Sequence, residues 1–180
     1  MGDASKDEEP AAAATAESGP PFELVVREFA PLVARIAASY EADHGLREDL
    51  VQQIWIAIWQ SLGSWRGDAP LKGFIAKIAQ NRAITHVSRQ SRQPRSAQLY
   101  DNLKLELPGP EERAIASIER ERLIIATRRL PLPQRQVIVL LLEGFAYADI
   151  AAMLDIAPNA LSLRLARAKA ALGKMLGGVS

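Results

Sequence analysis

The chain has no cysteine. A disulfide framework, a thiolate zinc site and a cysteine nucleophile are therefore all excluded. Histidine is nearly as scarce, with only His44 and His86, which leaves little material for an imidazole-rich metal centre. No apolar run approaches the ~20 residues of a membrane span, and the first residues lack the basic-then-apolar order of a secretory signal. The expectation is a soluble, cytoplasmic protein without membrane insertion. No catalytic residue, metal or cofactor is expected, because no nucleophile pair, metal-ligand spacing or phosphate loop is present. Aromatic residues make up only 6% of the 180 residues, so each one requires an explanation.

What is present is helical periodicity and an uneven distribution of charge. The formal net charge of +1 averages over unlike segments. In residues 1–20, Asp3, Asp7, Glu8, Glu9 and Glu17 face only Lys6. In residues 65–95, Arg66, Lys72, Lys77, Arg82, Arg89, Arg92 and Arg95 face only Asp68. After Asp155 there are Arg164, Arg167, Lys169 and Lys174 and no acid. Two separate basic zones point to two contacts with a polyanion.

The stretch from Leu130 to Leu176 organises the rest. Pro133 suits the opening of an almost wholly apolar helix through Val137, Ile138, Leu140, Leu141 and Leu142, since a missing N–H costs nothing in a first turn. Gly144 can end that helix in a left-handed conformation. A short helix over 146–154 follows, then a turn at Asp155, Ile156 and Ala157. Pro158 starts a long helix whose apolar row is Leu161, Leu165, Ala168 and Leu172, at helical spacing. This is the layout of a helix-turn-helix with a basic second helix able to enter a major groove. An ordinary helical hairpin with a solvated basic face shares the pattern, and the pattern alone does not separate them.

The remainder favours nucleic acid. Residues 1–21 read as a disordered acidic tail. Residues 22–92 carry three helical patterns: Phe22 to Tyr40, where Pro31 is expected to kink or divide the helix; Leu46 to Leu62, with Leu50, Ile54, Ile58 and Leu62 repeating every fourth residue; and Leu71 to Ser91. Trp55 and Trp59 flank the second stripe and are expected in the core. The third helix ends in Gln80, Asn81, Arg82, Thr85, His86, Ser88, Arg89 and Arg92, preceded by the loop GSWRGDAP with an exposed Trp65. Arginines hold phosphates, amides read base edges, and aromatic rings stack on unpaired bases. Residues 93–110, with Pro94, Pro108, Gly109 and Pro110, read as a flexible linker, and an amphipathic helix over 111–130 joins the second domain at 111–176. The fold expected is all-α: two small helical domains joined by a flexible linker, the second a helix-turn-helix.

In this order the segments DLVQQIWIAIWQSL, PLKGFIAKIAQNRAITHVSRQSR and LPLPQRQVIVLLLEGFAYADIAAMLDIAPNALSLRLARAKAAL resemble the two conserved regions of bacterial sigma factors. The resemblance is to the extracytoplasmic-function group of the sigma-70 family, and it covers nearly all of residues 22–176. It implies a promoter-specificity subunit of RNA polymerase that assists promoter melting and has no catalytic residues. By the same resemblance Asp49, Leu50, Gln52, Gln53 and Trp55 would dock on the clamp of the polymerase β′ subunit, with the β flap as a further contact. Trp65, Arg66, Lys72, Lys77, Gln80, Asn81, Arg82, Thr85 and Arg89 would bind the minus-ten element. Pro158, Asn159, Ala160, Ser162, Arg164, Arg167 and Lys169 would bind the minus-thirty-five element. An anti-sigma factor is an expected partner. The chain departs from the family at Thr85, Asp155, Asn159-Ala160-Leu161 and Ser162, which bears on the promoter read more than on the fold. The competing reading is a conventional regulator that binds duplex DNA as a dimer through the helix-turn-helix.

Overall fold

The computed structural model describes residues 19–92 and 112–177, with side chains from 118 onward in the second block. Most of the expected acidic tail and the whole expected linker lie outside the described residues. Seven α-helices and no strands make up the described chain.

The N-terminal bundle holds α1 (Phe22–Ala38), α2 (His44–Leu62) and α3 (Leu71–Gln90). In α1, Val25, Phe29, Leu32, Val33 and Ile36 recur at three- and four-residue spacing and are buried together. Pro31 neither divides nor ends the helix. It sits on the exposed face, where the backbone carbonyl it leaves unpaired can be solvated. Helix α2 begins two residues earlier than its apolar stripe suggests, because the Asp43 side chain caps it, accepting from the Leu46 N–H at 2.9 Å. In α3 the buried face is Ile75, Ala76, Ala79, Gln80 and Ala83, and its small residues let α1 and α2 approach closely.

The C-terminal bundle holds α4 (Glu112–Arg128), α5 (Leu132–Leu142), α6 (Tyr147–Leu154) and α7 (Pro158–Leu176). Gly144 ends α5 at φ +82°, and the Phe145 N–H reaches back to the Leu140 carbonyl at 3.2 Å, a Schellman-type closure. Asp155 ends α6 at φ 51°, the one non-glycine residue with positive φ among those described. The Ile156 N–H then bonds the Ala151 carbonyl at 3.0 Å. Leu161, Leu165, Ala168 and Leu172 of α7 are all buried, as their spacing predicts.

The two bundles do not stand apart: their buried apolar side chains form one continuous cluster. Polar groups line the seam. The Gln80 amide is buried, with Oε1 accepting from the Tyr40 hydroxyl at 2.9 Å and Nε2 donating to the Gln136 carbonyl at 2.8 Å. Arg35 meets the Glu143 carboxylate with two parallel hydrogen bonds of 2.8 and 2.7 Å. Lys72 Nζ donates to the Glu143 carbonyl at 2.6 Å and lies 4.9 Å from the Phe145 ring centroid. Arg128 donates to the Glu41 carbonyl at 3.3 Å, and Arg135 stacks over the Tyr40 ring at 5.5 Å. Burial at this seam raises the Tyr40 phenol above its ordinary value and lowers the Arg135 guanidinium.

Candidate docking and nucleic-acid interfaces

Helix α2 has a sharp division of faces. Leu50, Ile54, Ala57, Ile58 and Leu62 are buried. Asp49, Gln52, Gln53, Ile56, Trp59 and Gln60 are exposed along the opposite side, at offsets that share one helical stripe. Two sequence expectations change here. Leu50 is fully buried, so it lies beneath the exposed stripe and is no part of it. Trp59 is 63% exposed and Ile56 55%, although Trp59 was expected in the core. The cause is local: Trp55 packs edge-on against Phe22, centroids 6.1 Å apart, and is half-buried, whereas Trp59, one turn on, meets no such neighbour. An amphipathic exposed stripe with a Trp at its end has the composition of a protein-docking face.

On α3, Lys77, Asn81, Thr85 and Arg89 are exposed and follow one another at four-residue spacing. Asn81, Arg82 and Thr85 line a groove of about 260 Å³ whose other wall is Ala57 and Ser61 of α2. The groove offers an amide, a guanidinium and two hydroxyls over a small apolar floor, a surface able to hold a base and a phosphate together. The Thr85 hydroxyl is turned onto its own helix, donating to the Asn81 carbonyl at 2.9 Å. Arg66 is exposed in the preceding loop, and Trp65 is half-buried. Its indole N–H donates to the Ala69 carbonyl at 3.0 Å, which ties the loop into a fixed arch. Gln80 does not join this surface. It points into the seam with both ends of its amide bonded, and it gives the buried Tyr40 hydroxyl an acceptor there. Lys72 is exposed but already engaged by the Glu143 carbonyl.

On the helix-turn-helix, Pro158, Asn159, Ser162, Arg167 and Lys169 are exposed, and Ala160 and Arg164 are half-buried. The Asn159 side-chain oxygen accepts from the Ala160 N–H at 2.8 Å. The Ser162 hydroxyl donates to the Pro158 carbonyl at 3.0 Å, so both polar side chains are held near the start of α7. Lys169 Nζ donates to the Tyr147 hydroxyl at 3.2 Å, which couples the exposed end of α6 to the basic face of α7. Sequence reasoning did not single out Leu163, which is 51% exposed beside Ser162.

Sequence reasoning also missed Glu41, placed in a polar break. It is buried, and its carboxylate accepts from Gln90 at 2.6 Å and from the Asp43 N–H at 2.9 Å, and pairs with His86 at 2.8 Å. Burial pushes this carboxyl upward, but the bonds from His86, Asp43 and Gln90 outweigh it and hold it below the ordinary value. His86 and Gln90 thereby brace the end of α3 against the α1–α2 corner. Among the described residues no group of three or more His, Cys, Asp or Glu is placed to hold a metal ion, and no helix is long and apolar enough to cross a membrane.

Fold and surfaces together define an all-helical protein with an exposed polar and apolar stripe on α2, a groove between α2 and α3, and a helix-turn-helix. Comparison with known proteins gives the family. Sigma-70 region 2 matches residues 25–93 and sigma-70 region 4 matches residues 120–172. The RNA polymerase sigma factor NccH of Alcaligenes xylosoxydans xylosoxydans is 26% identical over 185 residues, spanning 98% of this chain and 97% of that protein. The ECF RNA polymerase sigma-E factor of Escherichia coli K12 is 28% identical over 161 residues, 84% of each chain. Two solved structures share the fold at 23% identity. One is the sigma factor RpoE in complex with the anti-sigma factor NepR from Bartonella quintana, with a TM-score of 0.65 over 88% of this chain and 98% of that one. The other is CnrH in complex with the cytosolic domain of CnrY, with a TM-score of 0.63 over 88% and 89%. The chain belongs to the sigma-70 family of RNA polymerase sigma factors, in its extracytoplasmic-function group. Members of this family act in transcription initiation, and so does this chain.

Proposed function

We propose that the chain recruits core RNA polymerase through α2, reads and holds the melted minus-ten element with α3, and reads the minus-thirty-five duplex with α7. The observation that carries this assignment is the separation of surfaces within the matched regions. The exposed α2 stripe lies apart from the exposed α3 row, and α7 presents a third surface of its own.

Each surface suits one role. Asp49, Gln52, Gln53, Ile56 and Trp59 combine polar and apolar contact on one rigid helix, and Trp59 is the side chain best suited to anchor it. Lys77 and Arg89 hold strand phosphates, while Asn81, Arg82 and Ser61 line the groove that receives an unpaired base. Trapping such a base offsets the few kcal/mol that unstacking costs. Asn159, Ala160 and Ser162 lie where α7 would enter the major groove, and Arg164, Arg167 and Lys169 contact phosphate or base. Two readers on one chain strengthen each other when the promoter spacing fits both. The chain performs no chemistry itself; nucleotidyl transfer belongs to the polymerase. An anti-sigma factor is the proposed inhibitor, in line with the complex known for the Bartonella quintana protein.

The test is co-purification with core polymerase followed by in vitro transcription from a promoter library. The expected result is core binding that is lost with Asp49→Ala or Trp59→Ala, and selection of a bipartite motif. A chain that binds duplex DNA as a dimer and ignores core polymerase would overturn this reading.

A further inference from the structure

The outward face of α7 carries a leucine that neither the fold nor the polar contacts use. Leu161, Leu165, Ala168 and Leu172 form the buried face of the helix. With 3.6 residues to a turn, Leu163 lies about 160° around the helix from both Leu161 and Leu165. It therefore points directly away from the bundle, and it is 51% exposed. Asn159 and Arg167, four residues before and after it, are exposed on the same line. Ala160 and Ala166, three residues to either side, are too short to cover it. Between residues 158 and 170 it is the one large apolar side chain left outside the core. A single exposed leucine on an ordinary surface needs no explanation. This one stands among Arg164, Arg167 and Lys169, with no acid anywhere after Asp155. Such a face suits a polyanion that also offers an apolar point of contact.

We infer that Leu163 determines part of the upstream specificity by reading the 5-methyl group of a thymine. That methyl is the apolar feature that marks an A·T pair in the major groove. A recognition helix brings its first turns to the base edges, and Leu163 lies in the second turn of α7. Asn159 and Arg167 on the same line contact the duplex on either side of it and fix the depth at which the leucine meets the groove. The neighbouring Ser162 donates its hydroxyl proton to the Pro158 carbonyl at 3.0 Å, so it has no donor left for the thymine O4. The methyl is then the handle, and its burial against the leucine side chain is worth about four-fold in affinity. A 5-methylcytosine carries the same methyl at the same place in the groove, so this reader also responds to cytosine methylation there. The inference rests on the proposed minus-thirty-five role of α7.

The test uses holoenzyme assembled from the full chain and core polymerase, on a promoter selected from a randomised library. Deoxyuridine replaces each thymidine of the upstream element in turn, on either strand, and affinity is read by competition against a labelled duplex. At one such position or more, loss of the methyl is expected to weaken binding about four-fold. Leu163→Ala keeps a strong helix former at an exposed site and is expected to bind the thymidine and deoxyuridine duplexes equally there. With cytosine or 5-methylcytosine at that position, each opposite guanine, the methylated duplex is expected to bind more tightly, and Leu163→Ala should remove that difference as well. Deoxyuridine that is neutral throughout the upstream element would overturn the inference, as would a penalty that Leu163→Ala leaves unchanged. A variant that loses core affinity but keeps the penalty would assign the leucine to a protein contact instead. An upstream motif without thymine sinks the inference alone, whereas selection of no upstream motif sinks the reading of α7 on which it rests.

Discussion

Gln80→Leu separates two accounts of a residue whose chemistry fits both DNA reading and structure. Leucine nearly matches the side-chain volume, so no large cavity opens and the cost comes from orphaned polar groups. The Tyr40 hydroxyl belongs to a residue only 5% exposed and loses its acceptor, whereas the Gln136 carbonyl loses the Gln80 amide but keeps its bond within α5. An unsatisfied buried group costs about 1–3 kcal/mol. The Tyr40 hydroxyl should bear nearly all of this penalty, about 1–3 kcal/mol. At a urea slope of about 2 kcal/mol/M, the midpoint should fall by roughly 0.5–1.5 M. Tyr40→Phe should cost about 1–2 kcal/mol by leaving the Gln80 oxygen unpaired. The double variant should lose less than the sum, with a coupling of about 1 kcal/mol or more. Equilibrium unfolding followed by fluorescence reads this out, since Trp55, Trp59 and Trp65 all lie in the N-terminal bundle. The reasoning is refuted if Gln80→Leu leaves the midpoint unmoved while weakening binding to promoter single strand.

Further predictions follow from the same contacts. Trp59→Ala should change stability by no more than about 0.5 kcal/mol yet weaken core polymerase binding by about 2 kcal/mol or more. Titration of labelled core checks it, and unaltered affinity would remove Trp59 from the docking face. Glu41→Gln tests the buried carboxylate that meets His86 and Gln90 of α3, the Asp43 amide, and, through its backbone carbonyl, Arg128 of α4. Because the folded-state value is depressed, the stabilisation is full above the ordinary carboxyl value of 4.5 and is lost as pH falls through the lower folded value. The stability gap between wild type and Glu41→Gln should therefore be constant near neutrality and shrink in acid; a gap that persists unchanged to pH 3 would contradict the assignment. Asp155→Val places a β-branched residue at φ 51° and should cost about 1–2 kcal/mol, while Asp155→Gly should be neutral or stabilising. Thermal melts of the two variants distinguish this, and equal melting temperatures would show that the turn is not under conformational constraint.

The local elements were legible because each is specified by side chains close in sequence. The apolar row of α7 gave its buried face, Pro158 gave its start, and the left-handed turns fell at Gly144 and Asp155, which tolerate positive φ. The order of the Trp-bearing helix α2, the basic helix α3 and the helix-turn-helix carried the family resemblance for the same reason. Tertiary structure alone decided the rest. Trp55 and Trp59 sit one turn apart beside the same stripe, and only the position of Phe22 determines that the first is covered and the second is left outward. Gln80 carries the same amide as its exposed neighbour Asn81 on α3. It is withdrawn into the seam because the buried Tyr40 hydroxyl, distant in sequence, meets it there and requires an acceptor. Glu41 reads as part of a polar break until His86 and Gln90 arrive from another helix to satisfy it. Periodicity assigns a residue to a face of its own helix; which neighbour covers that face is settled only when the helices pack. The pairing of Arg35 and Lys72 with Glu143 is the furthest case, since it joins two bundles that the sequence presents as separate.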